Sequence, residues 1–113
     1  MAMLLSLVWV FRLALLVALA GVTYLALMPA QAVSLGSDKT NHVVAFVVLG
    51  VLARLGFLRS GVVAVMFPLF IYGVLIEAMQ YQVGRFAGMD DLVANLIGLG
   101  IASVTTLFIQ KQA

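Results

Sequence analysis

Residues 77–98 read EAMQYQVGRFAGMDDLVANLIG, a polar island between two long apolar runs, and its spacing decides the architecture. Glu77 and Gln80 are three apart, Asp91 and Asn95 four apart. Side chains at those intervals lie on one face of an α-helix. The segment between them, with Gly84, Arg85 and Gly88, reads as the turn of a helical hairpin. Two carboxylates, two amides and a guanidinium are thereby brought to one end of a pair of helices.

Working outward, the flanks are too apolar for a soluble domain. Hydrophobic residues make up 65% of the chain and charged residues 9%, against roughly 45–50% and about 25% in soluble domains, and the mean hydropathy is +1.25. A bilayer-crossing helix takes about 20 residues, so 113 residues accommodate four spans and no additional domain. The expected fold is all-α: a single integral membrane domain, 1–113, with spans at about 8–28, 41–58, 62–80 and 91–109. Disulfides and thiolate metal sites are excluded because there is no cysteine. The six Lys and Arg residues are scattered, which is not the clustered basic face that nucleic acid requires.

The first run carries Arg12 near its start, where a long side chain can reach headgroups. A signal-peptide core at Leu13–Leu27, followed by a small-x-small cleavage site at Ala30-Gln31-Ala32, is a rival reading of this run, but the apolar first eleven residues lack a charged leader. Ser37-Asp38 offers capping chemistry for the second helix. Pro68 falls inside the third helix and is expected to bend it. With four spans, Arg12, Arg54, Arg59 and Lys111 fall at one surface, whereas Lys39, Arg85 and all four acids fall at the other. The excess of cations predicts that both termini are cytoplasmic and that the acids face outward.

This topology puts Asp38, Lys39 and His42 of the second span beside Glu77, Gln80 and Arg85, and beside Asp91 and Asn95 of the fourth. These eight residues are the candidate polar site. Gly73 shares the face of Glu77, while Ala94, Gly98 and Ala102 form a small-residue row that admits a close neighbour. A plainer reading stands beside each. Asp38 and Asp90 suit helix starts, Asn95 suits packing between helices, and Trp9, Phe46, Phe70 and Tyr72 suit interfaces or packing. Glu77 resists such a reading, because an acid inside a span costs on the order of 2.5–3.5 kcal/mol at the bilayer centre and needs a partner. One His and two carboxylates on three helices make no metal-ligand spacing signature, so neither a metal nor a cofactor is expected.

The segments DKTNHVVAFVVLGVL and YGVLIEAMQYQVGRFAGMDDLVANLIG resemble the two conserved blocks of the VanZ-like family: DKxxH, then ExxQ, an Arg before the last span, and DxxxN followed by Gly. The resemblance covers roughly residues 38–102, and the joint order of the motifs is its most specific feature. Family signature positions fall on Asp38, Lys39, His42, Glu77, Gln80, Arg85, Asp91, Asn95 and Gly98. Phe46 stands where many relatives carry Tyr. The resemblance implies a small helical protein of the bacterial cell (inner) membrane, related to an accessory factor in resistance to the glycopeptide teicoplanin.

The leading expectation is an outward-facing polar pocket that binds an envelope lipid, a peptidoglycan precursor or a glycopeptide. Arg85 and Lys39 suit phosphate or carboxylate, and Glu77, Asp91, Gln80 and Asn95 suit amines and hydroxyls. The alternatives are an intramembrane enzyme on a lipid-linked substrate, with His42 or Glu77 as general base, and a subunit of an oligomeric ion or solute pathway. Membrane lipids are the expected partners; an oligomer is compatible with the sequence.

Overall fold

A computed structural model describes residues 2–28, 38–83 and 88–112. Four helices follow one another: α1 (Ala2–Ala26), α2 (Asp38–Gly56), α3 (Val62–Gln82) and α4 (Met89–Gln112). The fold is an all-α bundle, 48 Å long and 23 × 22 Å across. Ser6–Ala26, Val62–Gln82 and Met89–Ile109 are each long and apolar enough to cross a bilayer, and this is a membrane protein. Their exposed faces carry large apolar side chains such as Leu13, Leu16, Val17, Phe67, Leu75, Val104 and Phe108, as lipid contact requires.

The apolar part of α2, Thr40–Gly56, is shorter, and α2 is the helix with the most extensive packing on its neighbours. At 1.5 Å per residue its 17 residues cover roughly 25 Å, less than the roughly 30 Å of a hydrocarbon core. Neighbours compensate, since α2 packs most extensively on α4 and next on α1. Phe46, Leu49 and Ala53 of α2 are buried against Leu15, Val65, Met66, Leu69, Leu99 and Ala102. The helix ends at Gly56, two residues before the expected boundary, because the chain turns there: Phe57 N–H bonds to Ala53 O and Ser60 N–H to Phe57 O. At the other extreme α1 begins at Ala2, several residues before the expected start.

Lipid tails are as apolar as leucine, so helices in a membrane associate through close packing and interhelical hydrogen bonds rather than through the hydrophobic effect. The small row of α4 provides that packing. A Cβ on Gly98 would meet Val43 O at 2.7 Å, Phe46 Cβ at 2.9 Å and Val47 N at 3.2 Å, and one on Gly50 would meet Ala102 Cβ at 2.5 Å. Ala94 and Ala102 are buried. Gly98 and Ala102 of the expected row therefore face α2, and Gly50 is their counterpart on that helix. Gly73 lets Asn95 and Phe46 approach α3, with Asn95 Nδ2 2.8 Å and Phe46 Cζ 3.1 Å from where its Cβ would stand.

The two ends of the bundle differ in chemistry. At one end, Arg12 Nε–H donates to Gly56 O (2.7 Å), and its guanidinium lies 4.9 Å from the Trp9 ring and 4.5 Å from that of Phe57. Arg54, also at this end, is buried and donates to Thr106 Oγ1 (3.2 Å) and Ser60 O (3.1 Å). Because α1 starts and α4 ends there, the helices alternate in direction. Thr106 is both acceptor for Arg54 and donor to Ala102 O (2.8 Å), so the isosteric Thr106→Val removes an acceptor from a buried cation. The expected cost is about 1–3 kcal/mol, measured by equilibrium unfolding in micelles; an unchanged stability would show that Arg54 is held without Thr106.

Candidate functional site

At the opposite end, three helices each deliver one titratable side chain to a common point. His42 comes from the first turns of α2, Glu77 from the last turns of α3 and Asp91 from the first turn of α4. All three are buried, and one ligand-type atom of each lies within 4.8 Å of the others. His42 Nε2 stands 3.7 Å from Glu77 Oε1 and 3.9 Å from Asp91 Oδ2. Helix geometry accounts for the placement: α2 and α4 start at this end and α3 finishes there, so residues remote in sequence share one level.

Two further contacts fix the orientation of this cluster. Fully buried Asn95 accepts at Oδ1 from His42 Nδ1 at 2.8 Å. A carbonyl oxygen only accepts, so Nδ1 carries a proton, and Nε2 is turned to the carboxylates. Glu77 Oε2 accepts from Gly88 N–H at 3.1 Å, which ties α3 to the residue before α4 and leaves Oε1 toward His42. Asn95 holds the imidazole and Gly88 holds the Glu77 carboxylate. Charge also favours the arrangement, since acids next to the N-terminus of α4 meet the positive end of its dipole. Asp90 and Asp91 occupy that first turn, with Asp90 exposed.

Gln80 shares the buried face of α3 with Glu77, but its hydrogen bond goes elsewhere. Its Nε2–H donates to Ala26 O at 3.0 Å, at the end of α1. Tyr72 ties the same helices, donating to Leu19 O at 3.2 Å and lying 2.6 Å from Thr23 Oγ1. Phe46 is buried with its ring centroid 6.2 Å from that of Tyr72, a packing role. Of the remaining candidates, Arg85 and the side chains of Asp38 and Lys39 lie outside the described residues, as does the Ala30-Gln31-Ala32 segment.

The structure thus brings His42, Glu77, Asp91 and Asn95 together and assigns Gln80 to the α1 junction. Sequence reasoning missed the burial of Arg54 against Thr106 and the part played by the Gly88 amide. A backbone donor leaves no trace in residue type, and an arginine near a helix end reads first as an interfacial cation. Chemically, the cluster can hold a cation or a donor-rich group, or exchange a proton between an oriented imidazole and a carboxylate. Comparison with protein families, curated proteins and solved structures finds no match to this chain.

Proposed function

We propose that this chain is a multi-pass protein of the bacterial cell membrane, VanZ-like in kind, whose polar end binds an envelope lipid, a peptidoglycan precursor or a glycopeptide. The observation that supports the reading is the buried convergence of His42, Glu77 and Asp91 from three helices. Burying ionisable groups carries a penalty of several kcal/mol per ion, and an apolar end would pack as well without it. Intramembrane ionisable residues therefore point to function first. The Arg12 and Arg54 end is cytoplasmic by the positive-inside rule, which puts both termini inside and the cluster at the outer leaflet. Lys39 and Arg85 belong by sequence to the same end and supply charge for a phosphate or carboxylate.

The test is native mass spectrometry of parent, Glu77→Gln and Asp91→Asn proteins released from lipid nanodiscs. Lipid-linked peptidoglycan precursor, phosphatidylglycerol and teicoplanin are offered separately. Parent protein should retain one of these at least about tenfold better than the variants, a difference of roughly 1.4 kcal/mol. Equal retention by all three proteins removes the site from binding. The oriented His42–Glu77 pair favours one second reading, an intramembrane enzyme with His42 as general base; conversion of the precursor by parent but not by His42→Gln protein would select it.

A further inference from the structure

We infer that His42, Glu77 and Asp91 form a site for a divalent first-row transition metal ion, with Asn95 as a positioning residue. Nε2 of His42, Oε1 of Glu77 and Oδ2 of Asp91 converge from three helices at separations of 3.7 and 3.9 Å from the nitrogen. Donors held at roughly 2.0–2.2 Å around a tetrahedral ion lie roughly 3.3–3.6 Å apart, so the two distances from the nitrogen close with adjustments of a few tenths of an ångström, and the two carboxylates, which complete a set within 4.8 Å, close by about an ångström through side-chain rotation. One imidazole and two carboxylates are the ligand types of Zn²⁺, Mn²⁺ and Fe²⁺ sites rather than of all-oxygen Ca²⁺ or thiolate sites. Two carboxylates also balance a dication, which suits a buried position.

The contacts around the cluster are those of a built site. A ligating histidine donates its distal N–H to an acceptor that fixes its tautomer and ring plane, and the Nδ1–H of His42 does so to Asn95 Oδ1 at 2.8 Å. The second oxygen of Glu77 is likewise held, by Gly88 N–H at 3.1 Å. Three protein donors leave at least one coordination position for water or for a ligand oxygen. This assignment goes beyond the ligand reading above and is tested without any lipid or antibiotic.

Tag-free full-length protein in nanodiscs, stripped with a chelator, is titrated with Co²⁺ as a spectroscopic probe and with Zn²⁺ in competition, and bound metal is counted by mass spectrometry. The expected result is one ion per chain, with a visible Co²⁺ spectrum that Zn²⁺ abolishes. Glu77→Gln and Asp91→Asn, close in size to the originals, should each weaken binding at least about tenfold. Asn95→Leu should weaken it roughly 10- to 100-fold, and Asn95→Asp, which keeps the acceptor, should restore it. Failure of parent protein to bind stoichiometrically overturns the assignment, and that measurement stands even where a variant does not fold. Stoichiometric binding that survives both carboxylate changes overturns it as well. So does a metal-free His42 ring that carries protons on both nitrogens by ¹⁵N NMR and takes up no Co²⁺, since two carboxylates would then be holding an imidazolium.

Discussion

Gly98→Leu is expected to lower the unfolding free energy in micelles by about 3 kcal/mol or more, at the upper end of what overpacking costs. The reason is the identity of the neighbours. Even the first carbon of a new side chain would lie 2.7 Å from Val43 O and 3.2 Å from Val47 N, and these are backbone atoms of α2, which no rotamer change can move. α4 must therefore back away from α2, and the packing of Leu49, Leu99 and Ala102 loosens with it. Gly100→Leu is the control on the same helix, where nothing lies within 4 Å of the added Cβ. Leucine also favours the helix by up to about 1 kcal/mol over glycine, so that variant should be neutral or slightly more stable. Equal losses at both positions would mean that the Ala94–Gly98–Ala102 face is not the surface against α2. A correctly displaced helix also separates Asn95 from His42, so the Gly98 variant should lose site function while Gly100→Leu keeps it.

The contrast between Gly98 and Gly50 shows which features of this chain are readable from sequence. Small residues at intervals of four announce a close-packed face on α4, since spacing within one helix is fixed by its pitch. Gly50, which receives Ala102, sits alone in a run of valines and leucines and announces nothing. A membrane helix is apolar all round, so periodicity does not say which face of α2 meets which neighbour. The same limit applies to the polar residues. Alternating helix directions suffice to bring His42, Glu77, Asp91 and Asn95 to one end, because helix starts and finishes follow from the order of the spans. The destination of a long side chain does not follow. Gln80, one turn from Glu77, reaches back to Ala26 O rather than to the cluster, and Arg54 turns inward to Thr106 although its position suits an interfacial cation. Each of these choices depends on which carbonyl or hydroxyl the neighbouring helix leaves within about 3 Å, a property of the packed bundle and not of the local pattern.

His42→Leu is expected to cost about 1–3 kcal/mol, the range for leaving a buried polar group without its hydrogen-bond partner. Two effects combine. Asn95 Oδ1 loses the donor that meets it at 2.8 Å, and the carboxylates of Glu77 and Asp91 lose the imidazole that lies 3.7 and 3.9 Å from them. Buried like charges and an unsatisfied acceptor are both unfavourable in a low-dielectric interior. The loss therefore belongs to what remains, and it should be reversible from the other side. Replacing Glu77 and Asp91 by leucine in the His42→Leu protein removes the two facing carboxylates, and the triple variant should be more stable than the single one despite two additional substitutions. That non-additivity, read by unfolding in micelles with each intermediate variant, measures the coupling inside the cluster. Independent contributions, summing simply through the series, would show that the three side chains do not act on one another. The triple variant also separates fold from function: a helical, well-folded protein that binds neither Co²⁺ nor any of the envelope ligands would show that these three residues serve the site, whereas one that still binds them would reduce the cluster to a lock between helices.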